Sequence, residues 1–193
     1  MQTYNIFPTV VGSVKLNLDL NSLENYCKNI KLKSKGRVLS NIYGYQSNDL
    51  DLKDEKLKEF LTILYATAQD YALNILELKN KLRISNMWFN YNTKKCSNGA
   101  HVHPDSVVSG VFYVKTPPHS GDIIFHREDA FVYFARHAFK DKDFKKFNFF
   151  NSRYWSITPE ENTLLLFPSW LLHSVTENIT EKERLSFSFN FKL

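Results

Sequence analysis

Two groups of candidate metal ligands, far apart in the sequence, constrain the fold of this 193-residue chain more than any other feature. The first group is His101, His103 and Asp105, and His173 follows His103 by seventy residues. Side chains at i and i+2 of an extended segment point to the same side. Either His101 with His103, or His103 with Asp105, can therefore hold one edge of a metal ion. The fold must then bring His173 to the same ion from a distant segment.

The types of these residues indicate which metal they bind. Two histidines and one carboxylate on one face of an octahedral iron form the facial triad of non-haem Fe(II) oxygenases, and three coordination positions stay open. His103 and Asp105 have the His-x-Asp form of that triad, whereas His101 and His103 would give a three-histidine site. The spacing alone leaves both pairs open.

Arg184 and Ser186 form a second polar pattern, which begins eleven residues after His173. An arginine can bind a carboxylate through two parallel hydrogen bonds, and a serine two residues further along a strand can add a third from the same side. Iron oxygenases that use 2-oxoglutarate anchor its far carboxylate on an arginine at about this interval after the distal histidine. The pattern predicts that Arg184 and Ser186 bind 2-oxoglutarate, with O2 as the other co-substrate.

Several motifs resemble a known family, the 2-oxoglutarate/Fe(II) oxygenases of phages and marine bacteria. These motifs are residues 36–41, 45–47, 101–104, 109–114, 166–173 and 184–190. The resemblance covers nearly the whole chain and implies a dioxygenase that hydroxylates or otherwise oxidises a substrate, which the motifs do not identify. The family keeps His-x-His-Pro and often lacks an acidic residue at the position of Asp105. The resemblance therefore favours His101 as the third ligand, beside His103 and His173.

Two other functions fit part of the same pattern. A cupin-type dioxygenase with three histidines uses no keto acid and has no need for the anchor at Arg184. A non-catalytic metal-binding module would keep the fold without turnover. Consumption of 2-oxoglutarate separates a 2-oxoglutarate-dependent dioxygenase from both of these alternatives.

Composition agrees with one intracellular enzyme domain spanning residues 1–193. The chain is 43% hydrophobic and 15% aromatic, which allows a substantial core rich in β-structure. Cys27 and Cys96 form no metal or disulfide pattern, and neither a signal peptide nor an apolar stretch of membrane-spanning length is present. We therefore expect a cytoplasmic protein without a membrane partner. The net charge of +5 comes from scattered lysines, and no reader motif favours a nucleic-acid partner.

The hydrophobic pattern predicts a mainly β fold with packed helices. Helical spacing extends over residues 21–36 and 52–78. Strands are expected at residues 4–18, 84–92, 107–115, 122–126, 162–167 and 185–192. Seven or eight strands with a helical layer behind them predict a double-stranded β-helix, the jelly-roll or cupin-like architecture.

An aromatic and basic segment, residues 127–156, interrupts the strand pattern. Loops at the mouth of a jelly roll often act as lids, so part of this insert is expected to cover the metal site. The alternative is that its aromatic residues pack in a homodimer interface. Trp170, three residues before His173, is expected to line the substrate-binding wall.

Overall fold

Two antiparallel β-sheets pack face to face, and two helices cover the outer face of the larger sheet. The structure is a computed structural model that describes the backbone of residues 1–193 and every side chain except those of residues 135 and 136. The strands are β1 (Gly12–Lys15), β2 (Asn41–Ile42), β3 (Tyr45–Gln46), β4 (Arg83–Asn92), β5 (Ser97–His101), β6 (Val108–Lys115), β7 (Ile123–His126), β8 (Tyr154–Ile157), β9 (Thr163–Pro168), β10 (His173–Val175) and β11 (Arg184–Lys192). The helices are α1 (Leu20–Lys33), α2 (Lys58–Asn74) and α3 (Ala130–Ala138), with 3-10 turns at Glu55–Leu57 and Asp141–Asp143.

The strand order is that of a jelly roll. The larger sheet has the order β1-β9-β6-β11-β4-β3, the smaller sheet has the order β2-β5-β10-β7-β8, and neighbouring strands are antiparallel. From β4 to β7, and again from β8 to β11, successive strands alternate between the two sheets. The predicted mainly β fold with packed helices, a double-stranded β-helix, is confirmed.

Strand β11 shows how the sequence separates the core from the interior cavity. Its residues alternate between large apolar side chains and polar ones, which point to opposite faces of the sheet. The apolar face packs beneath the helices and consists of Leu185, Phe187, Phe189 and Phe191. The opposite face carries Arg184, Ser186, Ser188 and Asn190, of which the first three line a cavity between the sheets. A row of buried polar groups inside the fold indicates a binding site, because such groups need partners.

Helices α1 and α2 bury one apolar face each on the larger sheet. The Phe60 ring of α2 packs against the rings of Phe112 on β6 and Phe187 on β11, with centroid distances of 4.9 and 5.2 Å. Asp19 begins α1 by accepting hydrogen bonds from the backbone N–H groups of Asn21 and Ser22. The cap thus lies two residues before the predicted start.

Helix α2 is shorter at both ends than the predicted 52–78. Leu52, Leu76 and Leu78 do pack against the core, but from segments outside the helix. Asp54 caps the 3-10 turn that precedes α2. The apolar spacing therefore predicted correctly that these leucines are buried against the core, but it predicted too long a helix.

Most of the predicted strands begin and end within one residue of the observed strands. Three features differ from the prediction. The N-terminal strand covers only Gly12–Lys15 instead of 4–18. Five short strands of two to five residues (β2, β3, β5, β8 and β10) were not predicted. Because β8 begins at Tyr154, the segment that interrupts the sheet ends at residue 153 rather than 156. Across the described residues, no helix combines the length and apolar character needed to cross a membrane.

Candidate active site

Three imidazoles meet between the two sheets. His101 ends β5 and His173 begins β10, and the two are direct cross-strand partners. His103 follows β5 by two residues, and its backbone N–H donates to the carbonyl of Ser169 at 3.0 Å. One ring nitrogen from each histidine lies within 4.8 Å of the others, which makes this the one group of three such ligand atoms among the described side chains.

Hydrogen bonds orient two of these rings for metal binding. Nδ1 of His101 lies 2.7 Å from the carbonyl of Gly99, and Nδ1 of His173 lies 2.8 Å from the carbonyl of Leu171. A carbonyl can only accept, so each Nδ1 carries the proton and each Nε2 keeps a free lone pair. The same arrangement holds metal-binding histidines in place in other proteins.

The surroundings keep the three imidazoles neutral. Burial lowers the pKa of His101. Burial, followed by the neighbouring histidines, lowers the pKa of His103 to about 3 and that of His173 to about 4. The rings of Phe125 and Phe167 pack against His173 and supply part of this apolar environment. Neutral imidazole is the form that binds a metal, so protons compete with the metal only in acid solution.

Asp105 does not join this cluster. It is exposed, lies in the turn after Pro104 and has a φ of +62°. The i, i+2 relation that would place it beside His103 applies only to an extended backbone, and Pro104 and Asp105 form a turn instead. Of the two ligand pairs left open by the spacing, the structure brings together His101 and His103.

Arg184 lies in the same cavity as the histidines and is 2% exposed. Its guanidinium donates through one terminal nitrogen to the carbonyls of Ser120 and Gly121 at 3.3 and 3.1 Å, while its Nε has no acceptor. Gly121 has a φ of +100°, and a Cβ there would lie 2.3 Å from the carbonyl of Thr176, so this turn requires glycine. Burial lowers the pKa of Arg184 from its ordinary value because the cation loses water.

No carboxylate neutralises this cation among the side chains that the structure describes, since none of the ion pairs includes Arg184. Asp122 is the acidic residue that acts on it, and it does so from beyond ion-pair distance. Ser186, two residues along β11, is 4% exposed and lines the same cavity. A buried arginine with an unpaired N–H and a serine beside it can together bind a carboxylate.

The cavity wall also contains residues that the motifs did not single out. Trp88 lies 5.8 Å from the His103 ring, centroid to centroid, and Tyr113 and Asn90 line the space near Arg184 and Ser186. Trp88 and Tyr113 could have been found from their inward positions on predicted strands.

Trp170 occupies a different place from the one expected. It lies in the turn between β9 and β10, is 64% exposed and is not part of the cavity wall. The cavity wall likewise includes no described side chain of the insert, residues 127–153. Many of the insert's aromatic side chains are exposed, and several pack on one another, such as Phe144 on Phe147 at a centroid distance of 5.6 Å.

The donor set fits Fe(II). Imidazole nitrogen binds iron, zinc, copper and nickel, and ligands confined to one side leave positions open for other molecules. The buried, unpaired Nε–H of Arg184 in the same cavity fits a bidentate anion that also reaches the metal. The residues present thus match both an iron ion and 2-oxoglutarate.

Known structures with the same fold include several oxygenases. A prolyl-4-hydroxylase of Pseudomonas putida aligns with a TM-score of 0.66 at 14% identity, over 95% of this chain and 92% of that chain. HygX of Streptomyces hygroscopicus, with nickel and 2-oxoglutarate bound, aligns with a TM-score of 0.62 at 12% identity, over 95% and 83%. The viral collagen prolyl hydroxylase of Paramecium Bursaria Chlorella virus-1, in its 2-oxoglutarate complex, aligns with a TM-score of 0.61 at 9% identity, over 95% and 96%. At these identities the likeness shows the fold alone.

The sequence itself matches one family model. Comparison with curated proteins gave no match. Residues 86–190, more than half of the chain, match the family described as "Putative 2OG-Fe(II) oxygenase". This region contains every histidine of the cluster together with Arg184 and Ser186. The chain therefore belongs to the 2OG-Fe(II) oxygenase family and is an enzyme that depends on Fe(II) and 2-oxoglutarate.

Proposed function

We propose that the enzyme hydroxylates a C–H bond of a small molecule or side chain, with His101, His103 and His173 as the iron ligands. Arg184 and Ser186 bind the distal carboxylate of 2-oxoglutarate. When bound, Fe(II) and 2-oxoglutarate together supply the activation of O2 and the oxidising power. The chain's own residues hold these groups and exclude water from them.

The observation that carries this proposal is the buried guanidinium of Arg184 in the cavity of the three imidazoles, which has an Nε–H without an acceptor and no carboxylate partner among the described side chains. Leaving a charge buried without a partner costs several kcal/mol, on the order of 3 to 5 when one partner of a buried pair is removed. A dicarboxylic co-substrate supplies the missing partner at one end and reaches the metal with the other. Ser186 adds a hydroxyl donor on the same side of β11.

The charge of the site supports a dianionic co-substrate. Three neutral imidazoles leave the full charge of a divalent metal uncompensated, unlike a set that contains a carboxylate. Arg184 adds another positive charge in the same cavity. A dianion such as 2-oxoglutarate neutralises most of this charge in a cavity where Arg184 and His173 are buried.

Succinate formation tests the proposal. The Fe(II)-loaded protein is mixed anaerobically with 2-oxoglutarate and pools of amino acids, peptides, nucleosides and small metabolites, and is then exposed to O2. We expect succinate to appear only when iron is present, and one pool to yield a product heavier by one oxygen atom. Bound metal and bound 2-oxoglutarate with no succinate in any pool would instead indicate a non-catalytic module.

The three-histidine cluster is also the feature that a keto-acid-independent cupin dioxygenase would have. Arg184 argues against that function, because such an enzyme binds no keto acid whose carboxylate would need a buried arginine in the cavity. The same experiment distinguishes the two. Product formation that continues without 2-oxoglutarate would favour the cupin reaction.

We further propose that the insert, residues 127–153, selects the substrate as a movable cover. Its exposed aromatic side chains include Tyr133, Phe134, Phe149 and Phe150, at 68 to 74% exposure, and Lys140, Lys142, Lys145 and Lys146 lie between them in sequence. Apolar side chains exposed to this extent favour closure over a ligand. Packing in a homodimer interface is the alternative, which predicts a dimer in solution.

Replacing residues 139–150 with a short Gly-Ser linker tests the role of the insert. Because no described side chain of this segment lines the cavity, we expect unchanged affinity for Fe(II) and 2-oxoglutarate by calorimetry. With an identified substrate, the linker variant should no longer form product coupled to succinate. Loss of iron binding, or failure to fold, would show that the segment belongs to the core.

The remaining sequence-based expectations stay predictions. They are a single domain over residues 1–193, a cytoplasmic location, an origin in phages or marine bacteria, and Trp170 as a substrate contact. Trp170 is exposed in the turn that leads to His173, and we propose that it contacts a large substrate outside the cavity.

A further inference from the structure

A series of hydrogen-bonded polar side chains, most of them buried, runs across strands β6, β11 and β4 of the larger sheet. It begins at Ser169, in the turn between β9 and β10, continues through Ser109 on β6 and Asn190 on β11, and ends at Asn86 on β4. The heavy-atom distances are 2.8, 2.7 and 2.9 Å. The first three side chains are 0, 1 and 5% exposed. Three buried polar side chains that hydrogen-bond in series require an explanation.

The hydrogen bonds of this series have one consistent direction. The hydroxyl of Ser109 has a single proton, which it donates to Oδ1 of Asn190. The hydroxyl of Ser169 must therefore donate to Ser109, and Nδ2 of Asn190 donates to Oδ1 of Asn86. Each member is satisfied by the next, so removal of any one leaves a buried group without a partner.

The end of this series at Ser169 is connected to two of the three histidines. The carbonyl of Ser169 accepts from the backbone N–H of His103 at 3.0 Å, and its own N–H donates to the carbonyl of Val107 at 3.2 Å. The same turn continues through Leu171, whose carbonyl accepts from Nδ1 of His173. Ser169 thus links two segments, the one that carries His103 and the turn whose Leu171 carbonyl orients His173.

His103 depends on this connection more than the other two histidines do. His101 and His173 are fixed by strand pairing and by their Nδ1 hydrogen bonds. His103 lies past the end of β5, and its backbone is held by the hydrogen bond to Ser169. A shift of the Ser169 turn would therefore move one ligand directly and rotate a second.

We infer that Ser169 and Ser109, supported by Asn190, are positioning residues that fix His103 and His173 for metal binding, an inference that rests on the proposed function of these histidines. Neither serine lines the cavity. They act by locking the Ser169 turn onto the centre of the larger sheet.

The test measures Co(II) binding alone, since Co(II) absorption reports coordination geometry without turnover. We expect Ser169→Ala and Ser109→Ala each to weaken Co(II) binding by about 10-fold or more and to change the visible Co(II) spectrum, as outer partners of metal ligands do. The double variant should resemble either single variant, because both break the same connection. Ser47→Ala is the matched control: Ser47 is also 0% exposed and bonds Asn48 and Phe89, but it contacts no histidine-bearing segment.

The outcomes separate this inference from the proposed function. If the unmodified protein binds no Co(II), the assignment of the three histidines fails, and this inference fails with it. If the unmodified protein binds Co(II), and both serine variants bind it with the same affinity and spectrum, only the positioning role is overturned. If neither serine variant folds, Asn86→Ala at the partly exposed end of the series decides, and an unchanged Co(II) spectrum would overturn the role.

Discussion

Replacing Arg184 with alanine is expected to weaken 2-oxoglutarate binding by about 30- to 1,000-fold, which corresponds to about 2 to 4 kcal/mol. The variant removes both parallel hydrogen bonds to the distal carboxylate and the only positive side chain in the cavity wall, among the described residues. Isothermal calorimetry on the Fe(II)-loaded protein without O2 measures the change.

Two further variants make the Arg184 result specific. Arg184→Lys keeps the charge and loses the planar fork, so its affinity should fall between those of the unmodified protein and the alanine variant. Arg83→Ala is the control, since Arg83 lies exposed at the far end of the neighbouring strand β4. Iron affinity should stay the same in all three. Unchanged 2-oxoglutarate affinity in Arg184→Ala would show that Arg184 does not bind the co-substrate.

Single substitutions of the histidines are expected to weaken iron binding by more than about 100-fold, because changes in mere partners of metal ligands already cost 10- to 100-fold. His101→Ala, His103→Ala and His173→Ala should all show this loss, measured by anaerobic titration with Fe(II). Asp105→Ala should bind iron like the unmodified protein, since Asp105 is exposed in a turn outside the cluster.

The Asp105 and His101 variants together decide the third ligand. A large loss in Asp105→Ala with little change in His101→Ala would assign the third position to the carboxylate. The turn at residues 104–105 would then have to rearrange when the metal binds. Loss in the histidine variants alone would establish a three-histidine site.

Much of the binding cavity could be predicted from alternation along the chain. The polar residues Arg184 and Ser186 alternate with large apolar ones on β11, and this period of two assigns the polar set to one face. The meeting of His173 with the segment that carries His101, His103 and Asp105 was predicted because ligands from two distant segments must reach one metal.

The choice between His101 and Asp105 could not be predicted from spacing, because it depends on where the chain after β5 turns. An i, i+2 pair faces one side only while the backbone is extended, and Pro104 with Asp105 forms a turn instead. The strands β2 and β3, at two residues each, are too short to show a pattern. They form because longer neighbours offer them an edge.

The two tryptophans near the site show a similar limit. Trp170 follows the motif that leads to His173, yet it is exposed in a turn, whereas Trp88 on β4 packs beside His103 in the cavity wall. Trp170 was predicted to line the cavity because it is close in sequence to His173. Trp88 lines the cavity because its position on β4 points its side chain inward. Side-chain direction on a regular strand is therefore the better guide to the wall of this cavity.

A crystal structure of the anaerobic complex with Fe(II) and 2-oxoglutarate tests the central claim most directly. The account predicts nitrogen atoms of His101, His103 and His173 at about 2.0 to 2.2 Å from the metal. It also predicts the distal carboxylate of 2-oxoglutarate paired with Arg184 and within hydrogen-bond distance of Ser186. Metal coordination by Asp105 with His101 turned away, or 2-oxoglutarate bound without contact to Arg184, would contradict it.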